Sequence, residues 1–213
     1  MLKHLNQTNF PFLWKIFQLT VGGTCVKRQL STQFYNNEKN ILEVGCSLGN
    51  VSRAFVKFPN INFKGIDIDP VVIDYAKKDF KKYKNFEFEC QDISTLFESS
   101  EKYDYILLCG LLHHINDEEV VEMLRSVSKI LNQNGKIVIV DILLPEINDN
   151  LLYKMYVKLD KGHYIRKYND LNNLIMKTDT FLNLIENNLY FVGGTPIFWP
   201  KCARAGLYVL NLK

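Results

Sequence analysis

The sequence predicts a doubly wound α/β fold, with a mostly parallel seven-stranded sheet, an antiparallel edge strand and helices on both faces. Two observations predict it. Five short apolar runs alternate with segments of helical periodicity, and that alternation implies βαβ crossovers onto a parallel sheet. Two more strand candidates close the chain with only a short loop between them, which suits an antiparallel edge.

The elements follow in chain order. The first 37 residues read as helical, broken at Gly22-Gly23 and ending in the polar run Asn36-Asn37-Glu38-Lys39-Asn40. Asn40 to Gly45 is a short apolar run closed by a glycine loop, the mark of a buried strand. A helix over Val51 to Phe58 is stopped by Pro59, and Phe63 to Asp69 is the second strand. Asp69-Pro70 then starts a helix, with Asp as N-cap and Pro at N1; Val72, Ile73, Ala76 and Phe80 form its apolar side. Asn85 to Cys90 and Tyr103 to Cys109 are the third and fourth strands. From Asp117 to Leu131, Val120, Leu124, Val127 and Leu131 share one helical face. Asn116 or Asp117 can cap that helix, and Glu118 and Glu119 sit in its first turn, where the helix dipole favours anions. Asn134-Gly135 turns the chain into a fifth strand, Lys136 to Asp141. Helices are expected around 149–160 and 170–188, and strands near 189–192 and 204–211.

Composition excludes several classes. At 213 residues, 47% hydrophobic and 23% charged, the chain can bury a core without disulfides or metal. Its net charge of +3 does not provide the basic stripe of a dedicated nucleic-acid binder. The lysines at 77, 78, 81, 82 and 84 read as a wet helix face, and Lys27 and Arg28 as solvated. No apolar run reaches the ~18 residues of a membrane span, and Pro11 and Lys15 interrupt the one early apolar stretch, so no signal segment is read there. The five cysteines are widely spaced with no CxxC pair, so neither a zinc site nor a redox dithiol is expected, and a cytoplasmic location fits.

In such sheets ligands bind at the carboxyl ends of the strands, where strand order reverses. The loops beginning at 45, 67, 91, 109 and 141 therefore carry the expected site. The first reads Glu43-Val44-Gly45-Cys46-Ser47-Leu48-Gly49-Asn50, and its glycines permit positive φ and close backbone approach. It lacks the GxGxxG of a dinucleotide fold. Asp67 ends the second strand, 22 residues after Gly45, where an acid accepts hydrogen bonds from both hydroxyls of a ribose. Asp92 follows the third strand, within reach of an adenine amino group, and the fourth loop reads Cys109-Gly110-Leu111-Leu112-His113-His114.

This ordered set at four successive strand ends resembles the class I S-adenosylmethionine-dependent methyltransferases, small-molecule-acting and Rossmann-like, over roughly residues 40 to 145. The resemblance rests on EVGCSLGN, GIDIDP, CQDI, YDYILLCGLLHHI and GKIVIVDIL. It departs at Ser47, where the family usually has Gly. The resemblance implies S-adenosyl-L-methionine as cofactor, S-adenosyl-L-homocysteine as product, and no metal. It implies cofactor contacts from Glu43, Gly45, Cys46, Ser47, Gly49, Asp67, Ile68, Asp92, Ile93, Cys109, Gly110 and His114. One domain over 1–213 is then expected: a helical cap or lid at 1–37, a cofactor-binding core at 38–145, and substrate-side helices and final strands at 146–213.

Aligning acceptor, methyl and sulfur supplies much of the rate, and a base is needed only if the acceptor must lose a proton. His113, His114, His163 and Asp141 are the candidates; His114 reads first as a structural hydrogen-bonding residue, His113 equally as structural, and Asp141 equally as a cap. Leu159 to Arg166 gathers an acid, a His, a Tyr and an Arg, resembling a D-x-G-x-x-x-R segment of small bacterial methyltransferases. Arg166 there is read either as an anion binder for substrate or cofactor, or as a surface ion pair with an acid such as Asp170. Trp14, Tyr156, Tyr164, Arg166 and Trp199 are the candidate substrate residues, the aromatics suggesting an apolar or aromatic small-molecule acceptor methylated on oxygen or nitrogen. The competing readings are an RNA or protein methyltransferase, a non-catalytic scaffold of the same fold, and an NAD-linked oxidoreductase. The absence of an N/D-P-P-Y/F loop, a Pro-Cys pair or an added binding domain argues against the first, and the missing middle glycine against the last. Oligomeric state is left open.

Overall fold

A computed structural model describes residue 12 and residues 23–98, 100–160, 162–192 and 203–213. Seven strands, β1 (Asn40–Val44), β2 (Asn62–Asp67), β3 (Phe86–Cys90), β4 (Tyr103–Cys109), β5 (Leu131–Ile142), β6 (Leu182–Val192) and β7 (Ala203–Leu212), form one sheet in the order β3-β2-β1-β4-β5-β7-β6. β1 to β5 are parallel. β7 runs antiparallel to both β5 and β6, so the antiparallel pair closes the sheet's edge with β6 outermost. The strand order reverses between β1 and β4, which pair directly, and this places the binding crevice at the carboxyl ends of those two strands.

Alternate residues feed two cores. Leu42, Val44, Ile106, Leu108, Ile137 and Ile139 face one side, under α3 (Asp117–Lys129) and α5 (Tyr168–Met176). Ile41, Tyr105, Leu107, Val138 and Val140 face the other, packed with Leu30 of α1 (Thr24–Thr32), Phe55, and Ile73, Ala76 and Phe80 of α2 (Pro70–Phe80). Helices therefore cover both faces. The helix starts follow the local chemistry: Asp69 accepts from the Val71 N–H at 2.9 Å. Asn116 and Glu119 form a reciprocal capping box at α3. α4 (Leu151–Leu159) falls within its expected span. α1 begins after Gly23, whose φ of 66° makes the break expected there. Among the described residues no helix is long and apolar enough to cross a membrane.

Three expectations change. The segment after the glycine loop is a 3₁₀ helix, Ser52–Lys57, instead of an α-helix. β-Branched Val51 and Val56 disfavour the α form, and so short a run between Gly49 and Pro59 gains little from helical cooperativity. Residues 182–188 are strand instead of helix. Pairing with β7 overrides local propensity there, and a register shift between Leu184 and Glu186 breaks the period-two pattern that would have marked the strand. β5 is assigned from Leu131, ahead of the expected turn; the turn survives as a register break that skips 132–135 between the Leu131 and Lys136 pairings. The aromatic N-terminal lid, Trp14 included, and the Phe198-Trp199-Pro200 segment lie outside the described residues, apart from Phe12.

Candidate active site

The glycine loop turns tightly because three of its residues are left-handed: Gly45 (φ 71°), Ser47 (φ 50°) and Gly49 (φ 74°). A Cβ on Gly45 would lie 2.9 Å from Leu111 Cδ1, and one on Gly49 2.7 Å from Phe80 Cε2, so packing and backbone both select glycine. Ser47 occupies a conformation that costs an L-residue about 1 kcal/mol. Its backbone N–H donates to Asp67 Oδ2 at 2.9 Å, and the Asp69 N–H donates to Oδ1 at 3.0 Å. These two bonds aim the Asp67 carboxylate and leave lone pairs on both oxygens. Burial pushes the Asp67 pKa up, and the two N–H donors hold it back.

A cleft of about 560 Å³ opens here, the size of a small-molecule site. Of the residues expected on the cofactor, Gly45, Ser47, Asp67, Ile68, Asp92, Ile93, Gly110 and His114 line it. Ile68 is 73% exposed, an apolar surface standing beside the Asp67 carboxylate. Asp92 Oδ1 accepts from the Ser94 N–H at 2.8 Å, which holds its carboxyl below the usual range. Glu43, Cys46, Gly49 and Cys109 are not among the lining residues. Glu43 is buried and accepts from Ser52 Oγ at 2.5 Å; burial pushes its pKa up to about 8. Burial likewise pushes the Cys109 thiol up to about 12, so neither cysteine of the site is a ready thiolate.

At the end of β5, buried Asp141 reaches across to the loop after β4. Its Oδ1 lies 2.5 Å from His113 Nδ1, and its Oδ2 accepts from the His113 backbone N–H at 2.9 Å. Asp160 Oδ1 stands 3.5 Å from His113 Nε2. Burial opposes the charged His113 ring, but Asp141 and Asp160 outweigh it and raise the pKa. The His114 ring packs at a tilt against His113, with centroids 4.1 Å apart, and burial and that neighbour lower its pKa.

The Asp160–Arg166 segment is strapped over this loop. Gly162 has no room for a side chain, since a Cβ would lie 2.2 Å from His113 Cδ2. The Tyr164 N–H donates to the His113 carbonyl at 3.0 Å. Arg166 donates to the Leu112 carbonyl (2.8 Å), the Ile115 carbonyl (2.9 Å) and Asp117 Oδ1 (2.8 Å). Its guanidinium therefore clamps the histidine loop; it forms the expected kind of ion pair, with Asp117 in place of Asp170, and its remaining donors are taken by the two carbonyls. His163 is exposed and makes none of these contacts, and Tyr164 is 44% exposed. Tyr156 of α4 lies within the electrostatic reach of Asp160. Trp14 and Trp199 lie outside the described residues.

The sequence reading missed Lys27. Read as solvated, it is half-buried beside the loop, its Nζ 3.5 Å from the position a Gly110 Cβ would take. No spacing signal could have found it, because the contact joins α1 to a loop more than 80 residues later. His113, His114 and Asp160 also bring potential metal-ligand atoms within 4.8 Å of one another. A divalent ion there would have to displace any proton on the His113 ring and sit in the field of the Lys27 ammonium.

A doubly wound sheet with a left-handed glycine loop, a ribose-type acid after β2 and an acid after β3 defines the class I S-adenosylmethionine-dependent methyltransferases. Residues 41–135 match the family described as Methyltransferase domain, the same stretch over which the chain resembles that class. It is 30% identical over 142 residues to myricetin 3'/5'-O-methyltransferase 1 of Solanum habrochaites, covering 64% of this chain and 37% of that protein. It is 31% identical over 100 residues to the ubiquinone biosynthesis O-methyltransferase of Coxiella burnetii, covering 46% and 42%. The chain thus spans about two fifths of the length of these relatives. Among solved structures, the mitomycin 7-O-methyltransferase superposes with a TM-score of 0.67 at 17% identity, covering 89% of this chain and 54% of the other. The N-methyltransferase NodS from Bradyrhizobium japonicum WM9, in complex with S-adenosyl-L-homocysteine, gives 0.65 at 17%, covering 89% and 85%. At such identities the two structures speak for the fold.

Proposed function

We propose that this chain transfers a methyl group from S-adenosyl-L-methionine to oxygen or nitrogen of a small-molecule acceptor, and that residues 1–213 act as one methyltransferase domain. The observation that carries the reading is the Asp67 carboxylate, aimed by two backbone N–H groups into a cleft that it shares with exposed Ile68. Asp67 would hold the ribose, Ile68 and Ile93 the adenine faces and Asp92 its amino edge. The Gly45–Ser47 turn and Gly110 would meet the methionyl part. The cofactor supplies a methyl group on an already activated sulfonium.

The chain's own residues then position the acceptor and move a proton. Neutral His113 donates Nδ1–H to Asp141 and presents Nε2 as the base; Asp141 fixes the tautomer and stabilises the charged ring that results. Asp160 adds a second carboxylate on the Nε2 side. The O-methyltransferase names among the relatives favour hydroxyl acceptors, and the fold of an N-methyltransferase keeps nitrogen in view.

The reading is tested by incubating the protein with S-adenosyl-L-methionine and a panel of phenols and amines, and following S-adenosyl-L-homocysteine release. Acceptor-dependent release is expected. Tight cofactor binding with no release to any acceptor would favour the scaffold instead.

A further inference from the structure

We propose that Lys27 forms an oxyanion subsite that selects acceptors bearing an acidic hydroxyl, such as a phenol, over amines. The inference rests on the methyltransferase reading above and narrows its acceptor class.

Three observations carry it. First, Lys27 Nζ and His113 Cε1 lie 3.5 and 3.9 Å from one point, the position a Gly110 side chain would occupy. Gly110, at φ 68°, keeps that volume empty, and Gly110 also lines the cleft. Cation and imidazole therefore flank one small space at Gly110; neither Lys27 nor His113 lines the cleft itself, and Gly110 joins that space to it. Second, the ammonium has no hydrogen bond or ion pair among the described residues, although it carries three donors. Those donors are open to an acceptor atom that enters the space beside Gly110. Third, the nearby carboxylates are already engaged. Asp141 accepts from His113 and from the Ile142 N–H, and Asp160 from the Gly162 N–H. Their field keeps Lys27 charged against the desolvation that opposes it, without supplying a direct partner.

A fixed cation beside a histidine base suits one acceptor chemistry. The acceptor O–H bond breaks and its proton passes to His113 Nε2. The negative charge left on oxygen faces Lys27. The oxygen's electron pair then forms the bond to the methyl carbon as that carbon's bond to sulfur breaks, the pair of that bond remaining on sulfur. An alkylamine reaching the same point is positively charged until it is deprotonated, and so meets repulsion; an arylamine arrives neutral and lacks the phenolate's charge attraction. Once neutral, the alkylamine too gains nothing from the cation. Lys27 thus discriminates by charge before any transfer occurs.

The test is calorimetric, on the S-adenosyl-L-homocysteine-loaded protein, with 4-nitrophenol (at a pH where it is ionised) and 4-nitroaniline, a neutral isostere. Wild type is expected to prefer the nitrophenolate by about tenfold or more. Lys27→Gln should erase the preference with product affinity unchanged, and Lys27→Arg should keep it. Equal or absent binding of the two probes by wild type, or an undiminished preference in Lys27→Gln, overturns the subsite. So does a loss of S-adenosyl-L-homocysteine affinity in Lys27→Gln with no loss for 5'-methylthioadenosine, because Lys27 would then hold the cofactor's carboxylate. Failure of wild type to bind S-adenosyl-L-homocysteine at all would instead sink the methyltransferase reading beneath it.

Discussion

Ser47 shows what a single residue adds to the site. The family pattern has glycine at this position, and the φ of 50° gives the physical reason. Serine tolerates the strain because its N–H is drawn onto Asp67. Ser47→Gly should relieve the strain and stabilise the fold by roughly 0.5–1 kcal/mol, less than the full left-handed penalty because glycine also loses more entropy on folding. Thermal unfolding checks this, and a lower melting temperature would contradict it. His113 makes a pH prediction. Asp141 and Asp160 raise its pKa, against burial and the Lys27 charge, with His114 packed alongside. As a base it works only unprotonated, so kcat/KM should rise with pH through a midpoint above the ordinary histidine value. Asp141→Asn removes the main raising charge and should move that midpoint down. A limb that stays in place would assign it to another group.

Among the elements, the strap from Asp160 to Arg166 is the part whose role the structure supplies. Three charge-assisted bonds from one mostly buried guanidinium hold the loop after β4. Arg166→Met should cost roughly 2–3 kcal/mol, because two carbonyls lose their donor in a part-buried setting. Arg166→Lys should rescue little, since a single ammonium cannot make the forked contacts. Chemical denaturation measures the cost, and hydrogen exchange should quicken at Leu112 to Asp117; an unchanged midpoint in Arg166→Met would remove the clamp from the account. The same scale shows what was legible. The parallel core could be read because β1 and β4 are nearly continuous apolar runs and two helix starts carry their own caps, at Asp69 and Asn116. The position of the cleft could be read because Gly45, Asp67 and Asp92 recur at strand ends, and all three line it. β6 was misread because its bulge at Ile185 breaks the alternation. The particular partners of Arg166 and the surroundings of Lys27 were not legible because they lie on distant segments, and local pattern carries no trace of such contacts.

At the scale of the whole molecule, the site's buried acid couples to stability. Glu43 lies beneath the glycine loop, facing Ser52 Oγ and the Asp67 charge, with its pKa raised from 4.5 to about 8. The folded state therefore keeps a proton that the unfolded chain releases above about pH 4.5. Stability from this group is present below that pH and is lost as pH rises toward 8, on the order of 4 kcal/mol in total. Glu43→Gln mimics the neutral acid, so it should match wild type near pH 4.5 and exceed it at pH 8 and above. Parallel stability curves across that range would contradict the raised pKa. The central claim is that the crevice between β1 and β4 binds S-adenosyl-L-methionine through Asp67. Calorimetric titration of wild type and Asp67→Ala with S-adenosyl-L-methionine and S-adenosyl-L-homocysteine tests it most directly. The account predicts binding by wild type that weakens at least tenfold in the variant, a loss of about 1.5–3 kcal/mol. Absence of binding by wild type, or equal binding by the two proteins, would contradict it.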